Sequence, residues 1–160
     1  MSEASTLKAG TWDLRRATPQ DHNRLVALQH AAYARNRDLL GVEPIPLQAD
    51  YHAVLREKEV WLAEEGESLV GALVLEPRTH DLMIESIATD PARQNAGLGG
   101  TLLSAAERRA RGLGYTTVRL YTGSVLTHLT SWYARHGYST ERIENLSDRS
   151  ITHMMKQLHA

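Results

Sequence analysis

Apolar positions along the chain change period several times, and each change marks an element. "TWDLRRAT" alternates around Trp12 and Leu14, which suits a short strand. "TPQD" then supplies a cap, a proline and an acid, the start of a helix. Leu25, Leu28, Ala31 and Ala32 recur at helical spacing, so this helix is expected to run to about Arg35, where "GVEPIP" follows as a break. A second helix, roughly Gln48 to Lys58, carries Tyr51, Val54 and Leu55 on one side. Three strands follow at Val60–Glu64, Leu69–Glu76 and Leu82–Thr89, the first two a hairpin around "EGES". A helix runs from the glycine-rich segment to about Leu113, where "GLGY" ends it. "TVRLYT" is a strand, and "VLTHLTSWYARHG" is a helix stopped by Gly137. "YSTERIEN" and "SITHMMKQL" are two final strands. The expected order is β-α-α-β-β-β-α-β-α-β-β in one α/β domain, residues 11–160, behind a flexible N-terminal arm, residues 1–10.

Composition narrows the chemistry. A net charge of −1 gives no basic footprint for nucleic acid or for an anionic membrane surface. The longest apolar run, "LVGALVL", is far too short to span a bilayer, and "MSEASTLKAG" has no signal core, so a cytoplasmic location is expected. The absence of cysteine excludes a disulfide framework, a zinc-thiolate site and a thiol nucleophile. The eight histidines have no metal-ligand spacing, so no metal is expected. His80 and His128 belong to a solvated surface or to an acceptor cleft.

The segment "RQNAGLGGTLLSAAERRA" raises a sharper question. Glycine weakens a helix interior, yet Gly97, Gly99 and Gly100 stand directly before one. Either they permit a tight strand-to-helix turn, or they let main-chain N–H groups at the helix start approach an anion. A P-loop would need a lysine after the second glycine, and there is none. A dinucleotide fingerprint would need a third glycine where Leu102 stands.

"QNAGLG", Gln94 to Gly99, matches the Q/R-x-x-G-x-G/A pyrophosphate loop of the GCN5-related N-acetyltransferases, and "WYARHGY" resembles that family's later signature. The resemblance extends over roughly Asp13 to Leu158 and includes the element order. It implies a mixed, mostly antiparallel sheet of about 6–7 strands with helices on both faces, and acetyl-CoA as acyl donor. Main chain from Gln94, Asn95, Ala96, Gly97, Leu98, Gly99 and Gly100 would take the pyrophosphate, with Arg93 as a further phosphate contact. Main chain at Ile87, Ala88 and Thr89 would pair with the pantetheine arm where two parallel strands splay. An N–H near Ala88 would serve the oxyanion.

By the same resemblance Tyr133 is the proton donor to the leaving sulfur. Glu85 is the candidate base, and the alternating pattern puts it on one side of its strand with Ile87. Leu126 and Leu129 stand where relatives carry an asparagine. Leu98, Leu102 and Ala105 read as the core face of the glycine-led helix; Glu107, Arg108 and Arg111 read as its solvated face. Asp38, Glu43, Asp50 and Tyr51 are placed to attract a cationic acceptor. A small-molecule amine, a protein amine, a longer acyl group and a non-catalytic CoA-binding module all stay open. A homodimer is the inherited expectation for assembly.

Overall fold

The computed structural model describes residues 6–93 and 97–159. Eight strands form one sheet: β1 (Thr6–Ala9), β2 (Trp12–Arg16), β3 (Glu59–Glu65), β4 (Ser68–Pro77), β5 (Leu82–Thr89), β6 (Thr117–Gly123), β7 (Ser139–Asn145) and β8 (Ser150–Gln157). Their spatial order is β1-β2-β3-β4-β5-β6-β8-β7. All neighbours are antiparallel except β5 and β6. The five α-helices are α1 (His22–Leu40), α2 (Ile45–Gln48), α3 (Tyr51–Glu57), α4 (Leu98–Gly112) and α5 (Thr127–Arg135). Among the described residues no helix is long and apolar enough to cross a membrane.

Two cores flank the sheet. On one face α4 sends Leu98, Leu102, Leu103 and Ala106 against Trp61, Leu73, Leu82 and Leu120, and Trp132 and Tyr133 of α5 pack onto the same cluster. On the other face Leu25 and Leu28 of α1 and Tyr51 and Val54 of α3 meet Leu62, Ala72, Val74 and Ala88. Gly71 lets the start of α4 come close to β4: a Cβ there would lie 3.1 Å from Leu98 Cδ2.

The expected order gains one strand. Thr6–Ala9, assigned above to a loose arm, pair with β2 as β1, and Leu7 and Ala9 are buried in the α4-side core. Residues 1–5, also assigned to the arm, lie outside the described residues. The first helix runs five residues past Arg35, to a C-cap at Gly41 in the left-handed conformation. The second helix divides, because Ala49 is extended, and Asp50 caps α3 by accepting from His52 N–H at 3.0 Å.

Candidate active site

The parallel pairing of β5 with β6 lasts three residues, Leu82–Ile84 against Val118–Leu120. Beyond Ile84 the two strands separate, as the family resemblance implies. The gap is the mouth of a cavity of about 550 Å³, walled by α1, the segment 44–46, β5, β6, α5 and the start of α4.

A β-bulge lies at this fork. Val74 stands opposite Ser86 and Leu75 opposite Ile84, so Glu85 is the extra residue of β5. The bulge re-phases the strand. Ile84 and Ile87 both pack on the α4 side, whereas Ser86 and Ala88 face α1. This corrects the alternation argument: Glu85 and Ile87 do not share a side, since Glu85 turns toward α3 and pairs with Lys58.

Lys58 follows α3, and its Nζ lies 3.0 Å from Glu85 Oε1 and 3.5 Å from Glu76 Oε2. The Tyr121 hydroxyl donates to Glu85 Oε2 at 3.4 Å. Burial raises the Glu85 carboxyl above the usual range; a hydrogen bond with Glu76 raises it further, and Lys58 opposes both. Glu76 is lowered, first by that same bond with Glu85. Below them is a smaller pocket of about 280 Å³, bounded by Tyr51, Val74, Glu85 and Tyr121. A buried polar chain fixes the wall nearby. Gln29 Nε2 donates to the Tyr51 hydroxyl at 2.6 Å and to Ser86 Oγ at 3.2 Å, and the Tyr33 hydroxyl shares a 2.8 Å bond with Ser86.

At the other end of the cavity, Gly97 adopts φ +80° as the N-cap of α4, a conformation open to glycine at little cost. The first helical bond, Thr101 N–H to the Gly97 carbonyl at 3.1 Å, leaves the earlier N–H groups of this 15-residue helix pointing out of its end. Gly97, Leu98, Gly99 and Gly100 line the cavity. The expected contacts Gln94, Asn95 and Ala96 lie outside the described residues.

Tyr133 lines the cavity beside this helix start, stacked edge-on against Trp132 at 5.0 Å and Tyr138 at 5.9 Å between ring centroids. Burial raises its hydroxyl above the ordinary tyrosine value, and among the described residues the hydroxyl has no hydrogen-bond partner. Glu85, Tyr133, Ile87, Thr89 and Gly97–Gly100 thus share one cavity. Ala88 turns its side chain into the α1-side core.

Other expectations fall differently. Arg93 lines the cavity but is ion-paired with Glu65. Leu126 is buried in the wall, and Leu129 also lines it. His128 reaches the wall, whereas His80 is exposed away from it. Glu107 is buried rather than solvated: it accepts from the Tyr138 hydroxyl at 2.9 Å and from Lys156 Nζ at 3.0 Å. The acidic residues suggested for a cationic acceptor do not line the cavity. Asp38 is exposed, Glu43 faces Arg37, and Asp50 is spent on capping α3; Tyr51 alone reaches the smaller pocket. Among the described residues no cluster of His, Asp or Glu is arranged to hold a metal ion.

Sequence reasoning missed Lys58, Glu76, Tyr121 and Arg35. A lysine behind a helix and a glutamate before a proline are common, and only the fold brings them to Glu85.

The model of the acetyltransferase (GNAT) family matches residues 25–138. The chain is 30% identical over 92 residues to an uncharacterized N-acetyltransferase, YvbK, of Bacillus subtilis (strain 168); the match covers 57% of this chain and 59% of that protein's length. A GNAT family acetyltransferase from Elizabethkingia anophelis, solved with acetyl-CoA bound, superposes with TM-score 0.62 at 25% identity, covering 72% of this chain and 92% of that one. The PaiA N-acetyltransferase of Thermoplasma acidophilum, in complex with coenzyme A, gives TM-score 0.71 at 17% identity, covering 92% and 99%, and so shares the fold.

Proposed function

This chain belongs to the acetyltransferase (GNAT) family, and from that premise we propose that it moves an acetyl group from acetyl-CoA to a primary amine by direct attack in a ternary complex. The observation that carries the reading is the fork between β5 and β6, which opens at Glu85 and leads to the glycine-lined start of α4.

The residues present suit the donor. Gly97 and Gly99 line the cavity at the start of α4 and bring no side chain to it, which suits close approach of a phosphate to the peptide N–H groups there. Along Ile87–Thr89, β5 is paired with β4 on one edge and not with β6 on the other, and that edge suits an amide-bearing arm laid along the gap as an added strand. When bound, acetyl-CoA supplies a thioester whose acyl carbon forms the new C–N bond as the C–S bond breaks.

The chain's own groups manage the protons. Glu85, raised by burial and still paired with Lys58, accepts the proton released by the attacking nitrogen. Tyr133, held protonated by burial and carrying an unengaged hydroxyl, gives its proton to the sulfur. The N–H groups around Ala88 are the candidates to receive the developing oxyanion.

Acetyl-CoA is expected to raise the melting temperature, and free thiol is expected to appear with at least one member of an amine panel. Protection without turnover of any amine would instead mark a coenzyme-binding module, and absence of protection would remove the donor site.

A further inference from the structure

The acceptor half of the cavity is roofed. Leu40, the last residue of α1, packs so tightly on Gly123 of β6 that a Cβ there would lie 2.7 Å from Leu40 Cδ2. Beside it Arg149 Nη1 donates to the Glu43 carbonyl at 2.7 Å, tying the segment after α1 to the turn that begins β8. These two contacts narrow the acceptor side of the cavity, which favours a small acceptor over a broad protein surface. The walls beneath the roof include Leu40, Pro44, Ile45 and Ile151, which suit a short apolar body.

The charges on this wall are one-sided. Among the described residues Glu85 is its only carboxylate, and Lys58 already faces it at 3.0 Å. Two guanidinium groups line the same cavity. Arg149 has an 8% exposed side chain and is offset on its outer side by Asp148 at 3.0 Å. Arg35, exposed on α1, has no ionic partner among the described residues. Arg93 and Arg135 also reach the cavity, but they come from the elements beside the α4 start, on the coenzyme side. A second ammonium on the acceptor would meet these guanidinium groups with no acid to receive it, whereas a carboxylate would find Arg35.

Taking the transferase reading as given, we infer that the acceptor is a small primary amine bearing its own carboxylate, an amino acid or close analogue, with its nitrogen at Glu85 and its carboxylate at Arg35. This reading runs against the cationic acceptor suggested by Asp38, Glu43, Asp50 and Tyr51.

The test is thiol release from acetyl-CoA with matched acceptors: free amino acids, their C-terminal amides, the corresponding decarboxylated amines, and spermidine. The acids are expected to exceed their amides in kcat/KM by about tenfold, the scale of one charge-assisted contact. In Arg35→Gln that ratio is expected to collapse toward one; in the exposed, remote Arg108→Gln it is expected to stay. Turnover of spermidine or the neutral amines with the acids left untouched would overturn the inference while leaving the transferase reading intact. A ratio insensitive to Arg35 would also overturn it. No turnover of any amine would remove the transferase reading, and this inference with it.

Discussion

In the proposed mechanism Glu85 is the base, its pKa raised first by burial and then adjusted by two neighbours of opposite sign. It accepts a proton only when ionised, so the rate should fall as pH drops through its raised pKa, above the ordinary glutamate value. Lys58 lowers that pKa and Glu76 raises it. Lys58→Met is therefore expected to move the acid limb of the kcat/KM profile to higher pH, and Glu76→Gln to move it lower. Two shifts in the same direction would refute the assignment. Tyr133→Phe removes the proposed proton donor and leaves the ring stacking in place; kcat should fall by about 100-fold with little change in donor affinity, read by steady-state kinetics. Gly99 separates fold from binding. A Cβ there meets Trp132 no closer than 3.7 Å, an ordinary contact. Gly99→Ala should thus leave the free protein as stable or firmer by up to about 1 kcal/mol, yet weaken acetyl-CoA about tenfold by calorimetry.

Among the elements, strong periodicity was legible and local irregularity was not. The β3–β4 hairpin, β5 and the core face of α4 follow from their apolar spacing. The strand β1 was missed because only two of its four residues, Leu7 and Ala9, are apolar, in a segment otherwise small and polar. The buried stripe of α1 includes Gln29, fully buried, while Ala31 on the expected face is exposed. A glutamine reads as surface until its partners are known, and those partners, Tyr51 and Ser86, lie 22 and 57 residues away. Glu107 was misread as solvated for the same reason. The bulge at Glu85 was invisible because an extra residue in a strand leaves no mark in composition. That the glycines at the start of α4 and Tyr133 come to one cavity follows from local spacing; the approach of Lys58 and Glu76 to Glu85, and of Arg35 to the cavity, does not, because each belongs to a different element. The Gln29 chain yields a prediction at this scale. Gln29→Leu removes one hydrogen bond from each of the Tyr51 and Ser86 hydroxyls, which keep the Pro46 carbonyl and the Tyr33 hydroxyl, and should cost about 1–3 kcal/mol in chemical denaturation, without abolishing the fold.

The whole molecule is a sheet in two parts. β1 to β5 form one antiparallel run, and β6, β8 and β7 form another. Three residue pairs join them directly, and α4 packs across the join. A donor lying in the gap would bridge both parts, so its binding should register in global stability. At a concentration 100 times its Kd it should add about 2.7 kcal/mol, or roughly 5–10 °C in Tm for a chain of this size. The open seam beyond Ile84 also bears on motion. Whatever occupies it acts as a brace, so the amides of Glu85–Thr89 and of Tyr121–Gly123 should slow together in hydrogen exchange when it is filled, and loosen together as product departs. Turnover would then be paced in part by how readily that seam unlatches.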